Sequence, residues 1–544
     1  MALEGFIVKQ IIDAKMQDEV NRNDKKFKGV LLSNRDIAEI VLGNRKAEST
    51  VRGVWKGYRN KGHYRGIVGS SPIAGGSVSS PIAKRKQLEG TKFVITSAQN
   101  NTHVHEDFLN SLLQYCEVEG AELLVSSFYY NKNGFQNGKG GDCWFDSRIK
   151  PYLVNESVQI CEGLVFCGEL NILPTAVNPI SGLHNYTGDQ SAIIPHSKLQ
   201  LESIPTPQHK EAKLMYTTGT VTQRNYVQQK AGQKAEWHHA FAALVVEVDE
   251  DGDWFVRQLN AESGTGNFYD LSWYYTPQGK DELQHTTPAL QFGDIHMDKL
   301  TKDVADMCWG GEDSIAAYLQ PDNFIVHDMH DHSRRNHHNI KDAYFLFKQF
   351  HDKKECVREE VEKTVDMLQE MSNHYGQVVV VESNHDLALE RWLKEQNYKN
   401  DPVNAVFFLE MQLENYRCMQ EGGTLQTFKT ACELVSEEPL NNVTFLKTDE
   451  SFELCGVEMG QHGHNGTGGA RGSIQAFQKQ GIKFNIGHSH SCNIKDGVYQ
   501  AGACMKVEDS GYAVGGSSWS ISHIVTYSNG KRAIITCRNN KWRG

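Results

Sequence analysis

No stretch of this chain is long and apolar enough to cross a bilayer. A spanning helix takes about 20 consecutive apolar residues, and the longest candidates, 240–248 and 378–381, are far shorter and read as buried strands. The N-terminal residues carry acidic side chains and no apolar segment ahead of a small-residue cleavage site, so no secretory leader is expected and the chain reads as cytosolic. Paired cysteines are missing as well. Twelve cysteines lie scattered from Cys116 to Cys537 with no Cys-x-x-Cys, which excludes a zinc ribbon or dithiol redox motif and leaves free buried thiols. An overall basic balance is also absent: 56 Lys and Arg face 67 Asp and Glu, a net charge of −11. Distribution matters more than the sum, however. Residues 22–65 hold twelve Lys and Arg against four Asp and Glu, so basic charge is concentrated at one end.

A chain of 544 residues exceeds one hydrophobic core, and four segments are expected. Residues 1–65 form a basic helix-turn-helix module. Ser33 serves as N-cap of a helix over 34–42 with Ile37, Ile40 and Val41 on its apolar face, and Gly43 stops it. A second helix begins near Ser49 with Val51, Val54 and Trp55 inward. Arg45, Lys46, Arg52, Lys56 and Arg59 are the candidate DNA contacts, to phosphates first. A small helical oligomerisation domain with a solvated basic face is the alternative. Residues 66–90 are rich in Gly, Ser and Pro, repeat Ser-Ser-Pro-Ile-Ala, and read as a flexible linker. Residues 91–288 open as strand 92–97, helix 104–119 and strand 122–128, and later show a hairpin, 241–249 with 254–259. They read as an α/β middle domain. Its polar clusters, Gln99-Asn100-Asn101 and His238-His239, match no known reaction, so a structural or substrate-positioning role is expected.

Chemistry concentrates from residue 285 onward, where fifteen of the 23 histidines lie, from His285 to His523. Five motifs each follow an apparent strand: Asp294-Ile-His296, Asp328-Met-His-Asp331, Asn384-His385-Asp386, His462-Gly-His464, after a strand expected over 453–459, and Gly487-His488-Ser-His490, with helical segments between them such as 340–371. Loops past the C-terminal ends of strands are where open α/β sheets gather their ligands. Imidazole and carboxylate together suit manganese, iron or zinc, and two such ions about 3.5–4 Å apart can activate water and neutralise phosphoryl charge.

In this order the motifs resemble the calcineurin-like metallophosphoesterase superfamily, over 289–544. The resemblance implies a double β-sandwich flanked by helices, and hence a multidomain α/β protein. It implies two divalent ions per chain, manganese first, with zinc, iron or magnesium as alternatives. Asp294, His296 and His490 would hold one ion, Asn384, His462 and His488 the other, and Asp328 would bridge them. His385 would be the general acid or a phosphate clamp, Asp386 would orient it, and a hydroxide activated by both metals would be the nucleophile. His464 stays open as an alternative to His462. Asp331, His332, Arg334 and His337 are further phosphate-binding or supporting candidates, and Arg335 and His338 are as readily a solvated loop. Two departures stand out: His327 and Ser383 occupy positions where the family has glycine.

The wider architecture, with the stretches FVITSAQNN and AEWHHAFAALVVEVD, resembles the early DNases of tequintaviruses. That likeness implies a metal-dependent DNase in the host cytoplasm that degrades host DNA, with DNA as partner, no membrane, and a homo-oligomeric state. The alternatives are a small-molecule phosphatase or phosphodiesterase, and a DNA-binding regulator with a vestigial phosphoesterase domain.

Overall fold

The computed structural model describes residues 5–23, 31–60, 85–130 and 143–544, apart from Leu283, Tyr375, Val507, Asp509 and Tyr512. The chain divides into two compact units, Met1–Lys84 and Arg85–Gly544.

In the first unit, helices Gly5–Asn23, Asn34–Leu42 and Glu48–Asn60 close on Ile11, Ile37, Ala38 and Val51. Ser33 and Asp36 cap the second helix reciprocally: the Ser33 N–H donates to the Asp36 carboxylate at 2.8 Å, and the Asp36 N–H donates back to Ser33 Oγ. Gly43 ends it at φ +60°, a conformation that costs glycine little, with its N–H bonded to Glu39 O at 3.0 Å. Ile40, expected inward, is 67% exposed. The buried stripe runs through Ile37, Ala38 and Val41, and position 40 falls off its edge. Arg52 and Lys56 are exposed, whereas the Arg59 side chain and the expected linker at 66–84 lie outside the described residues. The rest of that linker is not a linker. Lys86–Gln87 is a strand paired in parallel with Val158 and Gln159, and Arg85 Nε donates to Ser157 Oγ at 3.0 Å.

The second unit is mixed α/β with several sheets. An eleven-stranded sheet runs, in spatial order, Lys86–Gln87, Ser157–Cys161, Leu164–Cys167, Ser191–Ile194, Lys213–Thr217, Leu201–Ile204, Asn493–Lys495, Val498–Gln500, Phe484–Ile486, Val457–Glu458 and Glu453–Leu454. A six-stranded sheet runs Val443–Phe445, Gln377–Val381, Asn323–His327, Ala289–Gln291, Ser522–Thr526 and Arg532–Thr536. A four-stranded sheet contains Trp254–Asn260, Ala242–Val248, Lys92–Gln99 and Glu122–Phe128. The boundary expected at 288/289 is therefore not a physical one: the large sheet crosses it where Leu201 pairs with Ile494.

Alternation decides which face each strand buries. Val379 and Val381 meet Val457 and Met459 of the large sheet. Val378 and Val380 point the other way, into a core with Val361, Val365, Leu368, Phe407 and Phe428 of the covering helices. Further along, Ile524 and Ile534 pack with Ile494 and Tyr499, and with Phe93 and Ile95 of the four-stranded sheet. Two elements depart from expectation for backbone reasons. The strand expected over 453–459 is a hairpin, because Cys455 and Gly456 both adopt positive φ, as a two-residue tight turn requires. The helix expected over 340–371 is two, Ala343–His351 and Val357–His374, separated where Lys353 turns left-handed.

One buried ion-pair network ties the middle strands together. Arg257 donates from Nε and Nη2 to the two oxygens of Asp270 at 2.9 Å each and from Nη1 to Glu247 at 2.6 Å, and the Tyr115 hydroxyl donates to Asp270 at 2.8 Å. Removing one partner of such a pair costs about 3–5 kcal/mol. Asp270→Ala should lower the thermal midpoint by many degrees, while Asp189→Ala, which strips the partner from exposed Lys210, should barely move it. Similar melting curves for the two variants would contradict this account.

Candidate metal centre

The five motifs converge where the six-stranded and eleven-stranded sheets meet. Asp328 follows Asn323–His327 directly, and Asn384 follows Gln377–Val381 by a short turn. Asp294 lies just past Ala289–Gln291, with its backbone N–H on Gly502 O at 3.0 Å and its own carbonyl accepting from the Cys504 N–H at 2.8 Å. His462, His488 and His490 come from loops of the large sheet. Close approach demands glycine at two positions. A Cβ at Gly487 would stand 2.2 Å from Asp294 Oδ1, and one at Gly293 would stand 2.7 Å from the Ala503 nitrogen. His296, Asp328, His488 and His490 all hold positive φ, between 47° and 73°, at about 1–2 kcal/mol each. Backbone strain of this kind concentrates at functional sites.

The distances define two adjoining groups. In the first, His296 Nε2 lies 3.0 Å from His490 Nε2 and 3.6 Å from Asp328 Oδ2, and His490 Nε2 lies 3.3 Å from Asp294 Oδ2. Asp294, His296, Asp328 and His490 each bring a ligand atom within 4.8 Å of the others, and all four are buried. In the second, His462 Nε2 is 3.3 Å from Asp328 Oδ2 and 3.2 Å from Asn384 Oδ1, and the half-buried His488 ring lies 5.2 Å from that of His462. Asp328 is common to both. His464 stands further out: its ring is 5.4 Å from His462, and its Nδ1 has no partner.

Charge at this junction is unbalanced. Both oxygens of Asp294, Oδ1 of Asp328 and Oδ2 of Asp331 are buried without a hydrogen-bond donor, and unmatched buried carboxylates are costly. Burial opposes ionisation of Asp294 and Asp328, yet the neighbouring imidazoles, His462 first, hold both below the usual carboxylate range. Anionic oxygens without donors, beside imidazole nitrogens that face one another, form a donor set that fits divalent cations.

His385 sits at the rim. Its Nδ1 lies 3.3 Å from Asp331 Oδ1 and 3.4 Å from the Asp331 carbonyl. Burial works against its charged form, but Asp328 and Asp331 together raise it to about 10. The same Asp331 Oδ1 lies 3.0 Å from His296 Nδ1. Asp331, not Asp386, thus orients His385. Asp386 is taken up elsewhere: its carboxylate accepts from the Ser383 N–H at 3.0 Å, from the Ser383 hydroxyl and from the His330 N–H. Burial, reinforced by Asp328, raises it to about 7.

Other expected residues fall away from the centre. Arg335 forks onto Asp401 at 2.6 and 2.9 Å and reaches Glu355, so it braces the loop and is not poised for phosphate. Arg334 is buried, with Asp298 3.8 Å away. His332 packs against Trp392 with its Nδ1 3.4 Å from His330 Nε2. His337 lies against exposed His338, the two rings tilted at 41°. Two histidines that the motifs did not select are close by. Buried His327 places Nδ1 3.3 Å from His462 Nδ1, and burial lowers it to about 3. Its one signal was that it stands where glycine was expected. His523 accepts the Gly293 N–H on Nδ1 at 3.1 Å, so its other nitrogen carries the proton and faces Cys308 Sγ at 3.4 Å. It props the Asp294 loop, and no sequence pattern marks it.

No family model matches this chain, and no solved structure matches it. It is 43% identical over 481 residues to Protein A1 of Escherichia phage T5, an overlap of 87% of this chain and 86% of that protein. At that identity, across nearly the whole length of both, the chain belongs to the family of phage T5 Protein A1.

Proposed function

We propose that this chain is a metal-dependent phosphoesterase of the calcineurin-like kind that hydrolyses DNA phosphodiester bonds, acting early in phage infection on host DNA. The observation that carries the phosphoesterase reading is Asp328, shared between two His-rich groups beside carboxylate oxygens that lack donors. Asp294, His296 and His490 would hold one ion and Asn384, His462 and His488 the other. Two such ions neutralise phosphoryl charge and supply an activated water at neutral pH. His385, partly exposed and held by Asp331, is placed to deliver a proton to the leaving oxygen. Asp331 fixes its ring, and Asp386 fixes the turn that carries it. The sandwich of two sheets with covering helices accords with the same superfamily.

Manganese should raise the thermal midpoint of metal-stripped protein, with about 2.7 kcal/mol of added stability at a hundredfold excess over Kd. Asp328→Ala should abolish that rise. Manganese-loaded protein should degrade DNA, EDTA should stop it, and His385→Ala should keep the metal-induced rise while losing about 10²–10⁴-fold in kcat. A metal-loaded enzyme that hydrolyses bis(p-nitrophenyl) phosphate but leaves single- and double-stranded DNA intact would favour the small-molecule reading.

DNA as the substrate draws on the N-terminal unit. Lys46, Arg52 and Lys56 are exposed there. Arg45 is paired with Asp36 at 2.9 Å, and Arg52 stands 3.5 Å from Glu48. A basic module tethered to a hydrolytic site raises local substrate concentration. Replacing Lys46, Arg52 and Lys56 by Ala should weaken DNA binding and flatten its dependence on log salt by about one per lost phosphate contact. Hydrolysis of bis(p-nitrophenyl) phosphate should be unchanged; an unaltered salt slope would remove the module from DNA binding.

Self-association belongs to this reading as well. Helix Ala405–Gln420 exposes Val406, Leu409, Leu413 and Tyr416 at alternating spacings of three and four, the pattern of a helix seam. Leu409→Glu with Leu413→Glu should reduce the mass measured by light scattering to that of one chain. A wild-type protein already of that mass would exclude the homo-oligomer.

A further inference from the structure

A cavity of about 580 Å³ lies at the other ends of the large-sheet strands that lead to the centre and has no place in the chemistry above. Lys483 precedes Phe484–Ile486, and Gly497 precedes Val498–Gln500; both line it. His488 follows the first of these strands at its other end, so about 16 Å of extended backbone separates it from Lys483.

Besides Lys198, which Asp496 holds, three cations gather at the cavity: Lys483, exposed; Lys531, partly buried; and Arg532, buried. Elsewhere in this acidic chain Lys506 and Arg538 each have a carboxylate partner, whereas among the described residues these three have none within ion-pair distance. Lys483 Nζ donates to Gly530 O at 3.3 Å. Arg532 donates to Phe484 O and Gly497 O at 2.7 Å and to Asn485 Oδ1 at 2.9 Å, with its guanidinium 4.1 Å from the Tyr499 ring. Neutral oxygens solvate the charge without cancelling it. Of the acidic residues lining the cavity, Asp496 is paired with Lys198 at 2.6 Å and Glu458 accepts the Phe452 and Gly460 N–H groups. Glu453 alone stays exposed at the edge.

Two further features point to a ligand with more than charge. Trp237, 69% exposed, offers a flat aromatic face on the cavity wall. His238, 9% exposed, donates from Nε2 to Pro174 O at 2.9 Å, which leaves the Nδ1 lone pair buried and without a partner. Phosphate suits the cations, a nucleobase suits the tryptophan, and a hydroxyl or amine suits the lone pair. Burial pulls Lys483, Lys531 and Arg532 below their ordinary values, with Arg532 adding to the effect on Lys483 and Lys483 to that on Lys531, and a bound anion would relieve that.

We propose that this cavity is a nucleotide-binding site separate from the metal centre, with Lys483 and Lys531 on the phosphate and Trp237 against the base. The nucleotide is either free or one unit of a DNA strand. Calorimetric titration of full-length protein in EDTA, in the Lys46→Ala, Arg52→Ala, Lys56→Ala background, separates these sources with dAMP in one arm and a short single-stranded oligonucleotide in the other. Lys483→Ala with Lys531→Ala should weaken binding at least tenfold, and Trp237→Ala should weaken it several-fold, at an unchanged thermal midpoint. Loss in the dAMP arm assigns free nucleotide, and loss confined to the oligonucleotide arm assigns a strand. Absence of binding in both arms, or affinities untouched by the lysine pair, would overturn the proposal.

Discussion

Negative charge buried at the seam of two sheets is the constraint around which the second unit is organised. Asp294, Asp328 and Asp331 each keep at least one oxygen free of any donor, and desolvating such groups would destabilise most folds. The surrounding chain is shaped to hold them together regardless. Gly487 leaves room for Asp294, Gly293 lets its loop press on Ala503, and four residues of the cluster accept left-handed backbone. The Val and Ile faces of the two sheets stabilise the assembly from behind. That concentration of buried negative charge is what the proposed binding of divalent cations would offset.

The middle region gains a role from the same geometry. Six strands before residue 218 complete the sheet whose other strands carry His462, His488 and His490. Its polar clusters are tethers. Asn100 Oδ1 accepts the Tyr130 N–H at 2.7 Å, Gln99 Nε2 donates to Asn225 O at 2.9 Å, and His239 Nδ1 meets the Tyr226 hydroxyl at 2.7 Å. These bonds hold loops together, which is the bland reading of such residues; His238 Nδ1 and His239 Nε2 are left buried without a partner, and His238 lines a cavity.

Legibility followed physical range. Helix caps such as Ser33 with Gly43, and strands such as Val378–Val381, are local and could be read from neighbours in sequence. The metal-type residues were legible as short motifs after strands, because each loop carries its own ligands. Their assembly in space depends on packing between sheets that no local pattern encodes. The large sheet's passage across residue 288 was hidden for that reason, since its pairing joins residues nearly three hundred apart. Buried arginines were hard to read because charge predicts exposure: Arg335 stood open between a phosphate contact and a solvated loop, and neither reading foresaw Asp401 and Glu355 beside it. The orphan cations Lys483, Lys531 and Arg532 carried no signal, because being unpaired is a property of space alone.

The exchange of Asp386 for Asp331 beside His385 alters how the centre must work. Adjacency in sequence favoured Asp386, but the first residue of a helix points its carboxylate back to its own turn, and Ser383 captures it. Asp331 instead serves His296 and His385 through one oxygen. The two imidazoles therefore compete for the same negative charge. That charge, with Asp328, raises His385 to about 10, above the range of an efficient acid at neutral pH. Positive charge beside His296 would draw on Asp331 and Asp328 and bring His385 down toward its working range. In the proposed chemistry, proton delivery at the rim and cation binding in the centre would be coupled through this one carboxylate, which makes Asp331 the residue on which its two halves meet.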